Sequence, residues 1–266
     1  MKEPVYTNSD TAEQKREISS LISSSFDHVI QRGLFKGMKL CDQQFWGQGE
    51  KANKILGIYE YEVQRLIERI SKAHSIYTLI DIGGADGFYA VGALFSKLVN
   101  RVITYEQSAL GRESIREHAK LNSIDDGLQI NPSASSHVIM SLLSEKNVVP
   151  PLLIIIDIEG HEYDLLSRAL LEKMRHCHVI IEIHDRFIKD KTAKEVALPF
   201  RDFSLSQEML FKSANQTHKV HVIPECKKDI SEFKIFDGWS SYSKALLTSE
   251  SRICPGIWWY LEPIEC

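Results

Sequence analysis

Apolar positions along this chain recur in two different rhythms. Near the start, Ile18, Leu21, Ile22, Phe26, Val29 and Ile30 fall at helical spacing behind Asp10-Thr11-Ala12-Glu13, which has the form of a capping box. The pattern predicts a helix with one buried stripe, able to pack on the rest of the chain or on a second copy of itself. Gly33 and Gly37 interrupt it, and a second amphipathic helix follows with Tyr59, Val63, Leu66, Ile67 and Ile70 on one face. From Tyr77 onward the rhythm changes to short continuous apolar runs: 77–82, 101–106, 152–157 and 179–183, with a weaker one at 128–130. Helical stretches are expected between them at 88–98, 112–122, 138–143 and 161–174. Continuous rather than alternating runs, each followed by a helix, predict a parallel sheet covered on both faces, hence an α/β fold. Beyond Asp185 the pattern predicts a helix near 205–212 and strands at 220–223 and 257–261. The turn signals Asp237-Gly238 and Pro255-Gly256 flank a region suited to antiparallel pairing.

The run at Tyr77 ends in Asp81-Ile82-Gly83-Gly84-Ala85-Asp86-Gly87 and passes into Phe88. A carboxylate at the strand end and three glycines in a tight turn bring backbone N–H groups and an acid into one small volume, suited to a nucleoside ligand. The same glycines also suit a plain tight turn. A nicotinamide dinucleotide needs Gly-x-Gly-x-x-Gly with pyrophosphate on a bare helix N-terminus, but Ile82 stands where the first glycine belongs. Asp86 would repel the phosphates. S-adenosylmethionine carries no phosphate, a cationic methionine portion and ribose hydroxyls. Asp81 suits the cation, and Glu106 at the next strand end suits the ribose.

These motifs resemble class I S-adenosylmethionine-dependent methyltransferases, and within them the FkbM-like family. The resemblance rests on 81–89, on Val102-Ile103-Thr104-Tyr105-Glu106 with Leu121-Asn122, on Ile156-Asp157-Ile158-Glu159-Gly160-His161-Glu162, on 179–184 and on the entry segment Leu56-Gly57-Ile58-Tyr59-Glu60. It spans roughly residues 56–185. It implies a Rossmann-like, doubly wound, mostly parallel seven-stranded sheet with an antiparallel last strand, preceded by N-terminal helices. The corresponding division is a helical extension at 1–54 and a methyltransferase domain at 55–266. Cofactor-binding positions would be Tyr59, Asp81, Gly83, Gly84, Gly87, Glu106, Asp157 and Glu159. Family members often carry Asn followed by a hydrophobic residue where this chain has Ala85-Asp86, so a side-chain hydrogen bond to the cofactor is missing or supplied differently. The implied reaction is O-methyl transfer, commonly to sugars or other metabolite hydroxyls.

An alcohol acceptor needs orientation and a proton acceptor. His161 opens the helix after the 152–157 strand, where the helix dipole favours a neutral ring. His184 leaves the next strand toward the same edge, and Asp157 completes the catalytic candidates. Asp157, His184 and Asp185 also offer oxygen and nitrogen ligands to a divalent metal. Trp46, Trp239 and Tyr242 lie in loop-like stretches where aromatics can stack on a sugar, although core packing suits them better. Trp258-Trp259 reads as buried strand.

Composition adds limits. The 266 residues are 43% hydrophobic and 26% charged, with a net charge of −4 and no basic stripe, so a nucleic-acid partner is not expected. The five cysteines are scattered without a Cys-x-x-Cys pair, as in reduced cytoplasmic proteins. No apolar run approaches a membrane span. The expected partner is a small-molecule or glycan acceptor, with homo-oligomerisation through the N-terminal helices as a further expectation. A nicotinamide-dependent oxidoreductase and a non-catalytic binding protein keeping the same fold are the alternatives.

Overall fold

The structure is a computed structural model that describes residues 1–6, 10–42, 48–148, 150–184, 203–250 and 257–264. Helices α1 (Thr11–Ser25), α2 (Lys51–Ile55) and α3 (Tyr61–His74) lead into the sheet. Asp10 caps α1 by accepting the Ala12 N–H at 2.9 Å, as its capping-box sequence predicts. Strand β1 (Thr78–Ile82) is followed by α4 (Phe88–Phe95), β2 (Arg101–Tyr105), α5 (Ala109–Leu121), β3 (Leu128–Asn131), α6 (Ser136–Leu142) and β4 (Leu152–Ile156). The expected helix at 161–174 is two short ones, α7 (Glu162–Leu165) and α8 (Arg168–Lys173). The break comes at Ser167, whose hydroxyl accepts the Leu170 N–H and starts a new helix. Then come β5 (His178–Glu182), α9 (Phe203–Ala214), β6 (His218–Ile223), α10 (Ser241–Thr248) and β7 (Trp258–Pro263).

The seven strands form one sheet in the order β3-β2-β1-β4-β5-β7-β6. Strands β1 to β6 run parallel and β7 runs against them, pairing antiparallel with both β5 and β6. This is the Rossmann-like sheet with an antiparallel last strand. Every residue of β1, β4 and β5 is buried, because helices cover both faces. Leu79, Val102, Ile155 and Tyr260 pack on one face, and Ile80, Ile103, Ile154 and Trp259 on the other. Ile18 and Ile22 of α1 and Ile55 of α2 enter the same core cluster as Leu79, Val91 and Trp258.

The chain winds from β1 outward to β3, then returns to lay β4 on the other side of β1. The winding direction therefore reverses between β1 and β4. In doubly wound sheets the loops leaving two such strands diverge, and the carboxyl ends are where a ligand crevice is expected.

Candidate active site

The turn after β1 occupies one side of that crevice. Gly83, Ala85 and Gly87 have φ of +97°, +46° and +87°. Glycine is required at two positions by contact, and at Gly83 by angle as well. A Cβ on Gly83 would lie 1.7 Å from the Asp157 carbonyl oxygen, and one on Gly84 would lie 2.2 Å from Thr104 Oγ1. The Gly83 and Gly84 N–H groups both donate to the Tyr105 carbonyl, at 2.8 and 3.0 Å, which binds the turn to the end of β2.

Two carboxylates flank the turn. Asp81 is buried and accepts the Thr104 hydroxyl at 3.1 Å. Burial chiefly, with Asp157 and Glu106 nearby, pushes its carboxyl up to about 7 against the Thr104 hydrogen bond. Glu106, just past β2, accepts the Ala85 N–H at 2.9 Å on one oxygen and the Ser108 N–H at 2.6 Å on the other. It braces the turn and the start of α5 together. Gly111 lets α5 approach, since a Cβ there would meet Glu106 Cγ at 2.7 Å.

Across the crevice, β4 ends at Asp157, whose N–H donates to the Ile82 carbonyl at 2.9 Å. Glu159 follows in the left-handed region at φ +54°, then Gly160 and a one-turn helix. His184, two residues past β5, stands among four carboxylates. Its Nδ1 donates to Glu162 Oε1 at 2.8 Å, while its Nε2 lies 3.2 Å from Glu182 Oε2, 3.6 Å from Asp157 Oδ1 and 3.9 Å from Glu159 Oε2. Glu162 is wholly buried, and the same oxygen accepts the Ile158 and Gly160 N–H groups. Burial alone would lower the imidazole; the Glu162 hydrogen bond and the charges of Asp157, Glu162 and Glu159 outweigh it and raise His184 to about 9. One ligand atom each from Asp157, Glu182 and His184 lie within 4.8 Å of one another. Two carboxylate oxygens and an imidazole whose far nitrogen is bonded to a carboxylate make a donor set that suits a divalent ion.

The structure thus gathers Asp81, Gly83, Gly84, Gly87, Glu106, Asp157, Glu159 and His184 along one edge of the sheet. His161 does not join His184: it precedes α7 with its side chain 71% exposed and 3.8 Å from Asp164. Tyr59 packs its ring edge-on against Phe88, at 5.4 Å between centroids. Asp185 and Trp46 lie outside the described residues. Trp239 is core, Tyr242 is half exposed with its hydroxyl on Gln14, and Trp258-Trp259 is buried strand. Glu162 and Glu182 are the functional candidates that the sequence does not single out. Their one available sign is an acid inside an otherwise apolar strand or at a helix start.

Among the described residues, no helix is long and apolar enough to cross a membrane. No family model matches the chain, and no curated protein sequence does. Among solved structures, the human methyltransferase 10 domain containing protein superposes with a TM-score of 0.52 at 11% identity, over 98% of this chain and 100% of that one. An O-methyltransferase from Streptomyces achromogenes involved in tomaymycin synthesis, solved with SAM, aligns at a TM-score of 0.47 and 9% identity over 97% and 92%. An O-methyltransferase from Bacillus cereus, solved with SAH, aligns at 0.46 and 10% over 97% and 94%. The likeness to the human structure is one of fold.

Proposed function

We propose that this chain is an S-adenosylmethionine-dependent methyltransferase of the FkbM-like kind, acting on a hydroxyl of a sugar, glycan or small metabolite. One observation carries the reading: two buried carboxylates, Asp81 and Glu106, bracket the glycine turn at adjacent strand tips, with Asp157 facing Asp81 from β4. Glu106 is placed to accept ribose hydroxyls with the lone pairs its two backbone amides leave over. Asp81, with its carboxyl near 7, gives up its proton when a cationic methionine portion approaches. When bound, S-adenosylmethionine supplies a methyl group on a cationic sulfur that departs as a neutral thioether.

The chain's own residues then handle the acceptor. Glu162 holds the proton on His184 Nδ1, so Nε2 is the atom that receives the hydroxyl proton as the O–CH3 bond forms and the C–S bond breaks. The neutral ring, free of a proton at Nε2, grows in as pH rises toward about 9, and transfer should rise with it. His161 is turned to solvent and has no part in this step. Were Asp157, Glu182 and His184 to hold a divalent ion instead, Nε2 would be a ligand and not the base, and the ion would polarise the acceptor oxygen as a Lewis acid. A dinucleotide is disfavoured because Asp86 Oδ1 already accepts the Phe88 N–H at the start of α4, where pyrophosphate would sit.

The test is thermal-shift titration with S-adenosylmethionine, its demethylated product and NAD, followed by methyl transfer to a panel of sugars and phenols. Stabilisation by both sulfur nucleosides and not by NAD is expected. In transfer assays His184→Ala should lose most activity and His161→Ala little. No stabilisation by either nucleoside would overturn the assignment.

A further inference from the structure

The glycine turn contains one charged side chain that faces away from the crevice. Asp86 is 2% exposed, and its acceptors are taken by three different elements. Its Oδ2 meets the Lys54 ammonium of α2 at 2.8 Å, its Oδ1 caps the Phe88 N–H of α4 at 3.3 Å, and its carbonyl accepts His118 Nδ1–H of α5 at 2.8 Å. Lys54 is itself 5% exposed, with its ammonium 5.2 Å from the ring centroids of both Tyr59 and Phe88. Ala85 and Gly87, on either side of Asp86, both have left-handed backbone, and Ala85 N–H is the donor that Glu106 holds. What fixes Asp86 therefore fixes the geometry of Glu106 against the turn.

We propose that Lys54 is a positioning residue for the cofactor pocket, a tether by which the N-terminal helical segment holds the glycine turn in its binding conformation. Methionine has nearly the length of lysine but no charge. In Lys54→Met, Asp86 is left buried without its closest cation, and it must either take up a proton or swing outward and carry Ala85 with it. Other groups facing Asp86 are Lys51 of α2, His118 of α5, Cys41 ahead of α2 and Asp81 of β1. His118 is held toward its neutral form, chiefly by burial. Lys51 is engaged with Asp42, at 2.6 Å to its carbonyl.

The inference rests on the cofactor reading above, and two readouts separate the two. The first is amide hydrogen exchange in the full-length, ligand-free protein: Lys54→Met should exchange Ala85 and Gly87 at least tenfold faster than wild type, while Lys54→Arg stays close to wild type. The second is calorimetric titration with the demethylated cofactor: Lys54→Met should bind at least tenfold more weakly at pH 8. That ratio to wild type should shrink as pH falls and Asp86 is protonated. The doubly neutral Lys54→Met/Asp86→Asn should recover most of the affinity and lose the pH dependence. Should Lys54→Met fail to fold, Asp86→Asn breaks the same ion pair from the other side and should also speed exchange at Ala85 and Gly87 at least tenfold. Unchanged exchange at 85 and 87 overturns the tether whatever the ligand does. A double variant as weak as the single one at every pH also overturns it, assigning Lys54 to packing alone. A wild type that binds no sulfur nucleoside would instead count against the cofactor reading, with exchange still deciding the tether.

Discussion

Replacing Glu162 by glutamine removes one negative charge and keeps the oxygen that His184, Ile158 and Gly160 share. The amide nitrogen would take the place of Oε2, which has no hydrogen-bond partner among the described residues. Shape is preserved, and the perturbation falls on His184. A hydrogen bond to a charged partner contributes about 1.5–3 kcal/mol. At about 1.36 kcal/mol per pH unit that amounts to about one to two units. The His184 midpoint should therefore fall from about 9 to about 7–8. In the wild type the folded value lies above the ordinary 6.5, so this histidine's contribution to stability is fully present below pH 6.5 and lost as pH rises through about 9. The 2.5-unit difference corresponds to about 3 kcal/mol. Glu162→Gln should thus be less stable than wild type at pH 6, with the gap closing by pH 10. Histidine NMR titration of chelator-treated protein reads the midpoint directly, and urea unfolding at the two pH values reads the linkage. A midpoint that stays near 9 in the variant would show that the other acids, not Glu162, set the charge on His184.

Three further outcomes are expected. Glu106→Gln should weaken binding of the demethylated cofactor by about 10- to 100-fold by calorimetry, since one charged acceptor for ribose is lost; affinity within twofold of wild type would remove the ribose role. Gly83→Ala should cost about 3 kcal/mol or more, seen as a fall of at least 6 °C or so in Tm, because it combines positive φ with a 1.7 Å contact to the Asp157 carbonyl. An alanine variant that melts with wild type would mean the strand tips can part freely. Millimolar Mg2+ or Mn2+ should raise the Tm of wild type and leave Glu182→Gln unmoved; equal shifts in both proteins would place any ion elsewhere.

The strands were readable because burial on both faces leaves the same mark on each, an unbroken apolar run such as 152–156. The turn was readable for the opposite reason, since only glycine satisfies positions 83 and 84. Side-chain direction was not readable. His161 and His184 both follow strands and look equivalent in sequence, yet α7 is a single turn that leaves His161 in solvent, while the chain past β5 buries His184. The roles of Glu162, legible only as part of the motif after β4, and of Glu182 were not readable because they depend on an imidazole 22 and 2 residues away in sequence, brought to them by the sheet. The helix expected across 161–174 failed at Ser167, where capping outweighed a continuous apolar stripe. Lys54 belonged to a stretch read as an extension, and nothing local pairs it with Asp86.

The contact between Gly83 and the Asp157 carbonyl bears on how the protein could be re-engineered. The turn that would cradle the nucleoside and the strand tip that would face the acceptor touch backbone to backbone, with no side chain or solvent layer between them. A library built to broaden acceptor scope therefore gains nothing at 83 or 84. Its diversity belongs at His161, whose side chain is 71% exposed and can change size without moving either strand.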